Sequence, residues 1–180
     1  MLRQEARAMT GSKISKLVST SVTLGVAGYS SPLTITKTGT IEPVAAGATA
    51  LYAPASLGSA VVTNHGSIVG GAGAYGLSAG GAGGIGVDLA ATGVVLNTGV
   101  IEGGLGSASG NEATSGAGGA AIILAAGGTL TNHGDLIGGA GGAGSPSFGN
   151  TGGAGGYGAI IADGAARAWI SRSAPWIIPV

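Results

Sequence analysis

One short phrase occurs three times in this chain and constrains its fold more than any other feature. Each copy places a glycine two residues after an asparagine, an isoleucine or leucine four residues after it, and then a pair of glycines. The three asparagines are Asn64, Asn97 and Asn132, which are 33 and 35 residues apart. A repeat of this length is typical of a stacked solenoid, in which each unit packs against its neighbours.

The composition limits the kind of core that such a repeat can build. The 180 residues include 40 glycines but only one Phe, four Tyr and two Trp, which are too few to fill a round core. Hydrophobic residues make up 44% of the chain and charged residues 8%, unlike the profile of a disordered protein. We therefore expect a folded chain with a thin core of small aliphatic side chains.

The charges are distributed unevenly along the chain. Between Thr38 and Ala166 there is no Lys or Arg, whereas this stretch contains six acidic residues. An anionic body argues against contact with the phosphate backbone of nucleic acid, so we expect no nucleic-acid partner. The chain has no cysteine, which excludes disulfides and thiolate sites. We predict no integral membrane span, because glycines interrupt the longest uncharged stretch.

Three short segments in each unit show the alternation of β-strands. In one unit they are Val87–Leu89, Val94–Asn97 and Gly99–Glu102, separated by glycine turns. Glycine also interrupts every window long enough for a helix. Stacked parallel strands would align like residues in rows at about 4.8 Å, and the apolar rows should point inward. These rows are Val62, Val95, Leu130; Ile68, Ile101, Leu136; Val87, Ile122; and Leu89, Leu124.

The repeated asparagines are predicted to form an internal ladder. A buried amide must be hydrogen-bonded, and stacked amides satisfy one another. The alternative is an asparagine exposed in a turn. The glycines that follow suggest a bend with positive φ. The predicted structural ladder consists of Asn64, Asn97, Asn132, Gly66, Gly99, Gly134, Ile68, Ile101 and Leu136.

The repeats suggest three regions: an N-terminal polar segment (1–20), the solenoid (21–165) and a divergent tail or cap (166–180). In the degenerate first unit Lys37 is expected at the asparagine position, and in the last unit Trp169. The tail is either a cap over the last strand edge or the end of an interrupted reading frame. The glycine-rich stretches 70–84, 103–119 and 138–156 leave the repeat at one corner, as flexible loops or as extra glycine-packed turns.

Few residues suggest chemistry. His65 and His133 occupy equivalent positions but should lie two rungs apart, about 9.6 Å, which is too far for one zinc ion to join them. Asp88 follows a single partial match to the calcium-binding nonapeptide, at Gly83–Asp88. No two carboxylates fall on neighbouring rungs of one row. We therefore expect no catalytic residue, no metal site and no cofactor.

The segment Leu124–Gly139 resembles the rung repeat of bacterial autotransporter-type passengers and surface adhesins, and the resemblance extends over about Ser21 to Ala165. It implies an all-β fold, a right-handed parallel β-helix of about four to five rungs. It also implies a location outside the cell or on a bacterial surface, although we identify no clear signal peptide.

The function expected from this resemblance is a structural, adhesin-like module without enzymatic activity. Its partners would be glycans or proteins of a host or matrix surface. Two alternatives remain open at the level of sequence. One is a small polysaccharide-active β-helix enzyme of the pectate-lyase kind, and the other is a calcium-stabilised repeat module of the RTX kind.

Overall fold

The computed structural model describes residues 11–110, 114–144, 149 and 151–162, together with the backbone of 167–170. These residues form an all-β, parallel β-solenoid of about four turns, which confirms the predicted fold class. The described strands are β1 (Ser12–Ile14), β2 (Leu17–Val18), β3 (Val22–Thr23), β4 (Leu33–Ile35), β5 (Thr40–Ile41), β6 (Leu51–Ala53), β7 (Ser59–Asn64), β8 (Ser67–Val69), β9 (Val87–Leu89), β10 (Thr92–Asn97), β11 (Val100–Glu102), β12 (Ile122–Leu124), β13 (Gly128–Asn132), β14 (Asp135–Ile137), β15 (Ala159–Ile161) and β16 (Arg167–Ile170).

The strands stack into three parallel sheets, and each turn of the chain visits them in the same order. Sheet A contains β1, β4, β7, β10, β13 and β16; sheet B contains β2, β5, β8, β11 and β14; sheet C contains β3, β6, β9, β12 and β15. A single turn of 3-10 helix at Ala55–Leu57 lies between β6 and β7. The register aligns the repeated asparagines, so that Asn97 pairs with both Asn64 and Asn132.

The core is a thin column of aliphatic side chains between the three sheets. The predicted inward rows are fully or almost fully buried, with the exception of Leu136, which is half-buried. Burying one such side chain contributes roughly 1.5–3 kcal/mol, so repetition along the column supplies what aromatic residues supply in a round core. The buried hydrophobic residues are Ile, Leu, Val and Ala.

The structure differs from the predicted arrangement at both ends of the solenoid. Strands β1, β2 and β16 lie outside the predicted range 21–165. In the degenerate first unit, Ile35 and not Lys37 pairs with Asn64, because that unit has two extra residues before its corner glycine. In the last unit, Ile170 and not Trp169 pairs with Asn132. Residues 1–10, 166 and 171–180 of the predicted terminal segments lie outside the described residues.

The connections from sheet B to sheet C lengthen along the chain. They contain residues 19–21, 42–50, 70–86, 103–121 and 138–158, growing from three residues to 21. The longer ones are the glycine-rich stretches, and they all leave at the same corner, as the sequence predicted. They form hydrogen bonds with one another over most of their described length, so the alternative of extra glycine-packed turns is the correct one.

Candidate functional site

The three repeated asparagines form the predicted ladder inside the solenoid. Asn64 Nδ2 donates a hydrogen bond to Asn97 Oδ1 at 2.8 Å, and Asn97 Nδ2 donates to Asn132 Oδ1 at the same distance. All three side chains are completely buried. Each Nδ2 also donates to a backbone carbonyl of the next turn where that turn is described, such as that of Val100 for Asn64. The amides therefore fix the register between turns and are not available to a ligand.

The corner glycines have a different role from the one predicted. The sequence suggested positive φ at Gly66, Gly99 and Gly134, but none of them adopts it. Glycine is required there because of the stacking: a Cβ on Gly99 or Gly134 would overlap the carbonyl oxygen of the preceding corner glycine. The prediction of a bend was right, but its physical reason was wrong.

The two histidines lie on the outside of the same corner with Thr98 between them. His65 Nδ1 lies 2.7 Å from Thr98 Oγ1, which is a hydrogen bond between adjacent turns. His133 N–H of the backbone donates to the carbonyl of Asn97 in the turn before. The described residues contain no group of three His, Asp, Glu or Cys side chains that could hold a metal ion.

The glycine-rich connections form a second layered body beside the solenoid, which we call the glycine slab. Its outgoing arms are residues 70–76, 103–109 and 138–144, and its returning arms are 79–86, 114–121 and 151–158. Within each arm the hydrogen bonds recur every third residue. Gly70 donates to the carbonyl of Glu102 at the end of β11, and Gly73 donates to the next outgoing arm. Gly81 and Gly84 donate to the outgoing arm of their own turn. A period of three is that of the polyproline II helix, which has no internal hydrogen bonds and must bond to neighbours.

Glycine is needed in the slab because the arms approach one another closely. A Cβ on Gly83 would overlap the carbonyl of Gly104, and one on Gly118 would overlap the carbonyl of Gly139. Most residues at the remaining position of each triplet are exposed, although Ala120 is buried. The large exposed apolar side chains are Tyr75, Leu105 and Tyr157 in the arms and Leu77 in the turn between arms 70–76 and 79–86.

A groove of about 620 Å³ lies where the outer face of sheet B meets the slab. Its apolar lining includes Leu17, Val44 and Leu105, which are more than half exposed. Glu42 and Glu102 also line it. Both glutamates belong to one outward row, two turns apart with Val69 between them, so their backbones are about 9.6 Å apart.

The sequence analysis did not predict this groove, although it could have placed the two glutamates together. Each follows directly on an inward isoleucine, Ile41 or Ile101, that belongs to the same buried row. Alignment of that row already places Glu42 and Glu102 on one face. The shape of the groove could not be predicted, because it depends on the packing of the slab against sheet B.

Asp88 lies on the outer face of sheet C between two uncharged side chains. Its register partners are Tyr52 and Ile123. Partial burial raises the pKa of the Asp88 carboxyl above its ordinary value, because desolvation disfavours the charged form. The row offers no second carboxylate on a neighbouring turn to share a calcium ion.

Comparison with known proteins finds no relative of this chain. It matches no protein-family model, and neither a curated protein nor a solved structure shows significant similarity to it. Among the described residues, no helix is long and apolar enough to cross a membrane.

Proposed function

We propose that this chain is a structural β-solenoid module with an adhesin-like role, displayed on a bacterial surface or secreted, and without catalysis. The observation that carries the proposal is the glycine slab, which holds large apolar side chains out to solvent on a hydrogen-bonded frame. Tyr75 and Leu77 are 64% and 65% exposed near the turn of the first long arm pair.

The chemistry of the slab supports contact with a macromolecular surface. Tyrosine is enriched among the residues that dominate binding energy, because it combines a large apolar ring with a polar end. A rigid backbone lowers the conformational entropy that is lost on binding. The described part of the slab has no basic side chain, so neutral glycans or proteins of a host or matrix surface fit it better than sulfated polymers.

The proposal is tested with beads that carry the purified chain at equal density. Their adhesion is measured to surfaces coated with neutral glycans, with matrix proteins or with heparin. We expect adhesion to at least one surface of the first two kinds and none to heparin. The double variant Tyr75→Ala and Leu77→Ala should lose most of it, whereas the control Val94→Ala, at an exposed position of sheet A, should not. Adhesion to none of the surfaces, or equal adhesion by the double variant, would contradict the proposal.

A second candidate function is favoured by the groove with Glu42 and Glu102. Inverting glycosidases place two carboxylates roughly 6.5–9.5 Å apart, with one protonating the leaving group and the other activating water. The backbone separation of the two glutamates is close to the upper end of this range. Long flexible side chains can shorten or lengthen the distance between their carboxylates.

This candidate requires cleavage of a polysaccharide. Incubation of the chain with acidic and neutral polysaccharides, followed by a reducing-end assay, should give no product if the adhesin proposal holds. Product that disappears in both Glu42→Gln and Glu102→Gln, with unchanged circular dichroism, would replace that proposal by an enzyme. Product that persists in both variants would indicate a contaminating activity.

A further inference from the structure

The groove between sheet B and the slab combines two carboxylates with an apolar lining. Sheet B contributes Glu42, Val69 and Glu102, which follow one another on three successive turns of one outward row. The connections to the slab contribute Val44, which is 84% exposed, and Leu105, which is 51% exposed. The lining residues come from four successive turns, so the groove extends about 14 Å along the solenoid axis. It therefore presents two negative charges with an apolar surface between them.

Both carboxylates of the groove are without a partner among the described residues. The side chains of Glu42 and Glu102 form neither a hydrogen bond nor an ion pair with any of those residues. Lys16, which precedes the lining residue Leu17, is exposed and does not line the groove. The charge of the groove is thus not neutralised within the described part of the chain, and a cationic ligand would be attracted to it.

The backbone that lines the groove does not favour an anion. Glycine-rich backbone often binds anions through free N–H groups. Here the N–H groups of the lining glycines Gly70, Gly71, Gly103 and Gly104 all donate to backbone carbonyls of the chain itself. The groove therefore suits a ligand that donates hydrogen bonds to carboxylates and is otherwise apolar.

We propose that this groove binds a linear aliphatic polyamine, with one ammonium group at each glutamate and the methylene chain across Val69. An ammonium group only donates hydrogen bonds, and the methylene groups bury apolar surface against Val44 and Leu105. An extended seven-carbon chain holds its terminal nitrogens about 10 Å apart. The backbones of Glu42 and Glu102 are separated by about 9.6 Å. The groove volume of about 620 Å³ is also typical of small-molecule sites.

A peptide, such as the chain's own basic residues 1–10, fits the groove less well than a polyamine. Each buried peptide group needs a hydrogen-bond partner, and the lining glycines have no N–H group left to donate. Residues 1–10 also carry Glu5 between Arg3 and Arg7, which would bring a third carboxylate to the groove. The proposal uses neither Tyr75 nor Leu77, so it stands or fails independently of the adhesin-like role.

The experiment is isothermal titration calorimetry of the full chain with three amines. The terminal diamine of heptane has two ammonium groups at the proposed spacing, heptylamine has one on the same chain, and the terminal diamine of propane has two that are too close together. We expect saturable binding of the heptane diamine. Its affinity should be at least about tenfold higher than that of either other amine, which corresponds to about 1.4 kcal/mol.

Two variants test the role of each carboxylate. Glu42→Gln and Glu102→Gln each remove one charge at nearly constant shape, so each should lower the affinity for the heptane diamine to about that of heptylamine. The control Asp135→Asn removes an exposed carboxylate of sheet B that does not line the groove, and it should bind like the parent. Circular dichroism should show the same melting temperature for both glutamine variants as for the parent, since neither carboxylate has a described partner.

Several results would overturn the proposal. These are an absence of saturable binding to the parent, equal affinities for the heptane diamine and heptylamine, and undiminished binding by both glutamine variants. A loss of affinity in Asp135→Asn as large as that in Glu42→Gln would indicate diffuse attraction to an anionic surface in place of a site. Binding that appears only in the double variant Arg3→Gln and Arg7→Gln would assign the groove to the chain's own residues 1–10.

Discussion

The solenoid and the glycine slab are built by the same chain, in alternation, on opposite physical principles. In the solenoid, side chains such as Leu89 and Leu124 are fully buried, and they hold the three sheets together. In the slab, the arms are held by backbone hydrogen bonds, and a side chain at the contact positions would separate them. The comparison shows that one repeat unit can combine a core of buried aliphatic side chains with a layer in which many contact positions leave no room for a methyl group.

The energetic consequences of the two principles differ. Apolar burial stabilises in proportion to the area removed from water, whereas a backbone hydrogen bond replaces one made to water and contributes only about 0.5–1.5 kcal/mol. Glycine also loses more conformational entropy on folding than any other residue. We therefore expect the solenoid to provide most of the stability and the slab to depend on it.

The largest expected effect comes from shortening a core side chain of the solenoid. Leu124→Ala removes a fully buried side chain that pairs with Leu89 and Ile161, and it should lower the free energy of unfolding by about 2–5 kcal/mol. Urea denaturation followed by circular dichroism measures the change. Val94→Ala, which shortens an exposed side chain of the same solenoid, is the control and should cost less than about 1 kcal/mol. Equal losses would mean that the solenoid core does not dominate.

The asparagine ladder should give the next largest effect. Asn97→Ala leaves Asn64 Nδ2 without its side-chain acceptor and Asn132 Oδ1 without its side-chain donor, and both groups are buried. A buried polar group that loses its partner costs about 1–3 kcal/mol. The same urea titration measures it, with Thr63→Ala on the opposite face of sheet A as the control. A loss of unfolding free energy no larger than that of the control would show that the ladder does not stabilise the fold.

The slab is tested by adding a single methyl group. Gly119→Ala places a Cβ against the carbonyl of Gly84, and the resulting overpacking should cost about 1–3 kcal/mol. Hydrogen exchange should then become faster at the amides of arms 103–109 and 114–121, while the amides of β10 and β13 stay protected. Gly155→Ala, in the returning arm 151–158, is the matched control, because a Cβ there would lie 3.8 Å from its nearest described neighbour. If exchange accelerated equally in both strands and arms, the slab and the solenoid would unfold as one unit.

The repeat allowed most of the solenoid to be predicted from sequence. Asparagines spaced by about one turn could only be aligned in one way, and strand alternation then assigned Val95 and Ile101 to the core. The prediction was wrong where the unit length changes, as at Lys37, since two extra residues in a corner shift the register without changing the pattern of alternation.

The slab could be predicted only as one of two alternatives. Glycine-rich sequence is common to flexible linkers and to close-packed backbone, and composition alone does not separate them. A distinguishing signal was present in the spacing, because the glycines of arm 138–144 recur with a period of three. The groove beside Glu42 and Glu102 could not be predicted from sequence, because it lies between sheet B and the slab, and no local sequence pattern determines how these two pack against each other.

A smaller, pH-dependent effect is expected at Asp88. Its raised pKa means that the native state keeps the proton to higher pH than the unfolded state does, so the native state binds more protons between the two pKa values. Stability therefore falls as the pH rises through this window, and the loss persists at neutral pH.

The variant Asp88→Asn should remove this loss. We expect its melting temperature to exceed that of the parent at neutral pH, with a difference that disappears below the ordinary pKa of aspartate. The control is Asp135→Asn at an exposed position. Its change in melting temperature between acidic and neutral pH should equal that of the parent. A lower melting temperature of Asp88→Asn at neutral pH would show that the charge is stabilised by a partner.

The smallest expected effect is that of calcium. Its addition tests the glycine slab and the Asp88 row of the solenoid together. In calcium-stabilised repeat proteins, carboxylates of adjacent turns surround the ion, so glycine-rich turns fold when it binds. Here the glycine arms are already bonded to one another, and Asp88 faces Tyr52 and Ile123 along its row. Circular dichroism and the melting temperature after chelation should therefore stay unchanged when millimolar calcium is added. A rise in strand signal that Asp88→Asn abolishes would instead identify calcium as part of the fold.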